Sequence, residues 1–67
     1  MERGTIRSFD RSSGDGTISR SGNSDVRFNA SRIIGKDKGG FKPGDSVWFE
    51  VENIQSNHVA INIRKCM

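Results

Sequence analysis

The chain has 67 residues, a formal charge of +3 and one cysteine, and just over a fifth of it is Ile, Val or Phe, with no Leu. That suffices for one small core and not for two, so a single domain over residues 1–67 is expected. No run approaches the roughly 20 apolar residues of a membrane span, Met1-Glu2-Arg3-Gly4 lacks the apolar stretch of a signal peptide, and Cys66 alone supports neither an internal disulfide nor a cysteine zinc site, which together predict a cytoplasmic protein with no membrane partner.

Many Ile and Val residues among scattered Gly and Ser favour short strands over amphipathic helices. Thr5-Ile6-Arg7-Ser8-Phe9 reads as a first strand and Asp10-Arg11-Ser12-Ser13-Gly14 as its turn. Gly16-Thr17-Ile18-Ser19 and Val26-Arg27-Phe28 follow as a second and third strand around Ser21-Gly22-Asn23-Ser24. Ser31-Arg32-Ile33-Ile34 suits one helical turn, and Gly35-Lys36-Asp37-Lys38-Gly39-Gly40 is a loop too rich in Gly and charge for regular structure. After Pro43-Gly44-Asp45, the alternation from Val47 to Glu52 puts Val47, Phe49 and Val51 on one face and Trp48, Glu50 and Glu52 on the other. A last strand, Val59-Ala60-Ile61-Asn62-Ile63, is read with Val59, Ile61 and Ile63 inward. Five short strands with tight turns predict an all-β, five-stranded antiparallel OB-type barrel, because closure leaves fewer exposed sheet edges. Its expected inner set is Ile6, Ile18, Val26, Phe28, Ile33, Val47, Phe49, Val51, Val59, Ile61 and Ile63.

Gly4-Thr5-Ile6-Arg7-Ser8-Phe9-Asp10 resembles the opening Gly-Thr-Val-Lys-Trp-Phe-Asn of bacterial cold-shock proteins. Gly14, Gly16 and Ile18 stand where that family's first ribonucleoprotein motif, Lys-Gly-Phe-Gly-Phe-Ile, has its glycines and isoleucine, and Asp25-Val26 opens the second motif. Ser31 and Ile33, then Gly44, Val47, Phe49 and Glu50, and finally Ala60 with Asn62 continue the similarity over nearly the whole chain. The resemblance implies the same barrel and a single-stranded RNA or DNA partner, with a regulatory role at the level of RNA or transcription.

The matched positions are turn glycines and inward apolar residues, which speak to fold rather than function. In the family, outward aromatics stack on unpaired bases. Here the tryptophan position is Ser8, the first motif's phenylalanines are Asp15 and Thr17, Phe-Val-His-Phe of the second motif becomes Arg27-Phe28-Asn29-Ala30, and the loop phenylalanine is Lys38; of these aromatic positions only Phe9 persists. Since one stacking aromatic contributes about 1–3 kcal/mol, losing three removes roughly 3–9 kcal/mol if they act independently. Asp15 adds repulsion toward phosphate. Binding is therefore expected to be weakened, salt-sensitive and mainly electrostatic: Arg7, Arg27 and Lys38, with Arg11 nearby, meet phosphate or base faces, Phe9 stacks, and Thr17 and Asn29 hydrogen-bond. In the competing reading, Arg27 pairs across strands with Asp15 to make a solvated charged face.

Trp48 points away from the predicted core, either as an anchor for a protein partner or a second copy of the chain, or as a ring covered by Ile34 or Ile54. The first of these carries the alternative function, a protein-interaction module or self-associating barrel. His58, the single histidine, has no neighbouring spacing that makes a metal site, and a serine triad would need it buried and oriented. Gly14-Asp15-Gly16 lacks the Gly-Lys-Ser/Thr ending of a phosphate loop. No enzymatic activity, metal or cofactor is expected.

Overall fold

The computed structural model describes residues 1–34 and 41–66. Strands β1 (Glu2–Phe9), β2 (Asp15–Ser19) and β3 (Val26–Asn29) form a meander, the 3-10 turn Ala30–Arg32 follows, and β4 (Ser46–Ile54) and β5 (Asn57–Lys65) make the closing hairpin. They join as a closed barrel in the order β1-β2-β3-β5-β4, with β4 returning to β1 through pairs such as Arg3 with Trp48. The all-β barrel agrees with the sequence reading, with one correction to its antiparallel description. Strands β3 and β5 run parallel where Arg27 meets Val59, and Ile33 and Ile63 extend that parallel contact. Parity requires it: five strands in a closed ring cannot all oppose both neighbours, so at least one pair must be parallel. This pairing is also the shortest of the five, in keeping with the less favourable slanted bonds of parallel strands.

The core consists of Ile6, Ile18, Val26, Phe28, Ile33, Phe41, Val47, Phe49, Ala60 and Ile63. Val51, Val59 and Ile61, expected inside, are only half-buried. The cause in β5 is a bulge. Pairing skips from Trp48 opposite Arg64 to Glu50 opposite Ile61, and Asn62 takes a positive φ of 52°. The extra residue shifts the alternation by one position, so Ala60 and Ile63 point inward while Val59 and Ile61 turn to the flank. Phe41, absent from the expected inner set, is buried and meets Phe28 edge-on at 6.4 Å between ring centres.

A second irregularity shapes the outer surface. The β1–β2 register shifts between Ile6 and Ser8, so Arg7 and Ser8 both stay outside while Phe9 swings back against the core. The turn after β1 is closed by Asp10, whose Oδ1 accepts from the Ser12 amide at 2.9 Å and from the Ser12 hydroxyl at 2.6 Å. These bonds favour the charged form and hold the Asp10 carboxyl below its ordinary value of 3.8. A carboxylate whose folded value is depressed stabilises the turn above the unfolded value, and the contribution fades as pH falls through the lowered one. Acidification below about pH 3.8 is thus expected to raise amide exchange at Ser12 and Gly14 before the barrel strands respond, measured by hydrogen exchange against pH. Uniform exchange across turn and strands would count against a local role for this carboxylate.

Candidate nucleic-acid interface

The outward side chains of β1, β2 and β3 make one face. Cross-strand pairing sets Thr17 opposite Arg27 and Asp15 opposite Asn29, and Ser8 opposite Thr17. A shallow groove of about 350 Å³ runs between Ser8, Asp15, Gly16, Thr17, Arg27 and Phe28. Two neighbouring depressions continue it, one past Asp25, Ser56, Asn57 and His58, the other past Asn29, Ser31 and Arg32. Arg27 borders all three.

The predicted site residues take different positions relative to this face. Thr17, Arg27 and Asn29 share the face, as their register requires. Arg7 stands at its edge with its Nε 2.7 Å from Asp25 Oδ2, both side chains being more than a third exposed; such a pair is typically worth about 0–1 kcal/mol, which leaves the guanidinium open to competition by phosphate. Arg11 is exposed in the turn beyond β1. Lys38 lies outside the described residues.

Two expectations change. Arg27 does not take Asp15 as its partner: the Asn29 amide donates to Asp15 Oδ1 at 2.9 Å, and among the described residues the ion pairs join Arg7 to Asp25, Arg20 to Glu2 and Lys65 to Asp45, leaving Arg27 without one. The register is the reason, because Asn29, not Arg27, stands directly across from Asp15. Phe9, expected as a free stacking ring, is half-buried and lies parallel to Phe28, with ring centres 5.8 Å apart and an interplanar angle of 11°. The ring is thereby partly committed to the protein core.

Trp48, read from the sequence either as an interface anchor or as a ring covered by Ile34 or Ile54, is half-buried. Its half-buried indole carries the Arg3 guanidinium 5.8 Å from the ring centre, supplied by the neighbouring residue across β1 and β4. Ile34 is itself 40 % exposed. Sequence reasoning missed Arg32, which the 3-10 turn brings beside Arg27 and Asn29; its helical turn was legible, but not which groove the turn borders. The Asn29 side chain also caps that turn by accepting from the Ser31 amide at 3.0 Å, so one amide group fixes both the turn and Asp15.

Among the described residues no group of three or more His, Cys, Asp or Glu is placed to hold a metal ion, and none of their helices is long and apolar enough to cross a membrane. What the face offers is a central guanidinium, hydroxyl and amide hydrogen-bonding groups, and an aromatic floor. The family model of the 'Cold-shock' DNA-binding domain matches residues 2–66. With the closed five-stranded barrel and the position of this face on β1 to β3, that match covers all five strands, and the chain belongs to the cold-shock domain family of nucleic-acid-binding proteins.

Proposed function

We propose that the protein binds single-stranded RNA or DNA on the β1–β3 face, weakly and chiefly through phosphate contacts, in a regulatory capacity of cold-shock type. The observation that carries this reading is Arg27. It borders three contiguous depressions and forms no ion pair among the described residues. Asp15, the group most hostile to phosphate there, has one oxygen engaged by Asn29. Arg7 and Arg11 flank the face, and Lys38, outside the described residues, adds a further charge in this proposal. Thr17 and Asn29 supply hydrogen bonds, and Phe9 offers its uncommitted ring edge. Polar groups stand where the family's stacking rings would be, so affinity comes from counterion release rather than from aromatic burial.

About three phosphate contacts to a single strand predict a slope near −2 for log K against log salt. Replacing Arg27 with Gln should flatten that slope by roughly 0.7 and weaken RNA and DNA oligonucleotides alike. The check is amide NMR titration of the labelled chain with oligothymidylate and oligouridylate across salt concentrations. Shifts centred on Thr17, Arg27 and Asn29 that shrink with salt support the reading. No movement there with excess oligonucleotide at low salt, or binding indifferent to salt, overturns it.

A further inference from the structure

We infer a second contact site for single-stranded nucleic acid on the far side of the barrel, built from Arg3, Trp48 and Arg64. These residues form one row across three adjacent strands, Arg3 pairing with Trp48 and Trp48 with Arg64. Strand spacing puts the two arginine positions roughly 10 Å apart with the indole between them. In the barrel order, β4 is the one strand that borders neither β2 nor β3, so this row stands across the core from Thr17 and Arg27.

Its chemistry is that of a stacking platform with phosphate clamps. The Arg3 guanidinium lies over the indole at 5.8 Å, and the Arg3 side is exposed, so a base can stack on the outer plane of a guanidinium already backed by an aromatic ring. Among the described residues the Arg64 side chain donates to the Met1 thioether at 3.7 Å, a weak acceptor that a phosphate oxygen readily displaces. Neither arginine has an ion pair among the described residues. The neighbouring acids are already engaged: Glu2 accepts from Arg20 at 3.2 Å, and Glu50, two residues along β4, accepts from the Asn62 amide at 3.2 Å. Glu50 and Glu52, further along β4, bound the row on one side. Two uncompensated guanidiniums beside an aromatic ring complement a phosphodiester strand, which brings phosphates for the guanidiniums and bases for the stacked planes. With both sites occupied, one barrel gathers two segments of a long strand, and the second engagement gains from effective concentration.

Trp48 is the single tryptophan in a chain without tyrosine, so its fluorescence and indole N–H resonance report this row and not the β1–β3 face. The test titrates the full chain with long oligothymidylate at low salt, following Trp48 emission and the amide spectrum together. Expected are quenching of Trp48 and movement of its indole N–H, both retained in Arg27→Gln and lost in the Arg3→Gln, Arg64→Gln double variant, whose Thr17 and Arg27 amides still shift. The salt slope of the Trp48 response should approach about −1.4, from two phosphate contacts. An indole that stays fixed while the Arg27 region saturates overturns this inference and leaves the proposed function standing; a responsive indole with a silent Arg27 region does the reverse. Loss of the Trp48 response in Arg27→Gln overturns it by making the row an extension of one site. A Trp48 signal that depends on protein concentration without oligonucleotide overturns it in favour of a second copy of the chain. The mapping uses the unaltered protein, so the result stands even if the double variant folds poorly.

Discussion

Replacing Phe28 with Ala is expected to leave little of the barrel folded at 25 °C. Phe28 is 3 % exposed, stacks on Phe9, meets Phe41 edge-on and floors the groove bordered by Arg27. Removing a buried phenylalanine ring costs about 3–5 kcal/mol, the lost transfer energy plus the cavity left behind. A single core in a chain of this size supplies only about 3–5 kcal/mol in total. The two figures coincide, so the variant should show collapsed amide dispersion and no urea transition with a folded baseline. Phe28→Leu, which keeps most of the volume, should retain a cooperative transition at lower urea. A Phe28→Ala midpoint lowered by less than the equivalent of about 1 kcal/mol would mean that Phe9 and Phe41 close over the space. Binding lost in Phe28→Ala therefore reports unfolding, which is why Arg27 is the position that tests the face.

The place of Phe28 also shows how far the sequence could be read. Strand existence, turn positions and most of the core followed from period-two alternation, as in Val47 and Phe49, because side chains of a regular strand must alternate faces. The alternation fails where the backbone gains a residue. Nothing in Val59-Ala60-Ile61-Asn62-Ile63 announces that Asn62 takes a positive φ, although Asn tolerates that conformation better than its β-branched neighbours do. Thus Ala60, not Ile61, is buried. The candidate face was legible in part: Thr17 and Arg27 fall on the second and third predicted strands and Asn29 just past the third, and the register sets Thr17 opposite Arg27 and Asn29 opposite Asp15. What was not legible was pairing one register step away. Asp15 and Arg27 suggest an ion pair by charge, yet the carboxylate faces Asn29, and only the register itself decides between them. The row Arg3, Trp48 and Arg64 joins residues from the two ends of the chain and depends on barrel closure, which local patterning does not encode.

Gly16→Ala is expected to destabilise the barrel by about 1–3 kcal/mol through overpacking alone. A Cβ built at Gly16 would fall 2.4 Å from Phe28 Cζ, 2.5 Å from Phe28 Cε1 and 2.7 Å from the Ser8 carbonyl oxygen. The ring can shift only by disturbing Phe9 and Phe41, and the carbonyl belongs to β1, so neither neighbour yields cheaply. Combining Gly16→Ala with Phe28→Leu separates the two. If the ring dominates, Gly16→Ala costs less when Phe28→Leu is already present, with a coupling of about 0.5–3 kcal/mol from a double-mutant cycle in urea. Equal cost in both backgrounds would place the constraint on the Ser8 carbonyl and hence on the close approach of β1 to β2. The distinction bears on the interface, because Phe28 and Ser8 are floor and wall of the groove that Arg27 borders. A glycine required by the ring means that this chain has brought an aromatic inward beneath the face while placing a guanidinium on it. In that arrangement stability is altered at Phe28 and, in the proposed binding mode, affinity at Arg27.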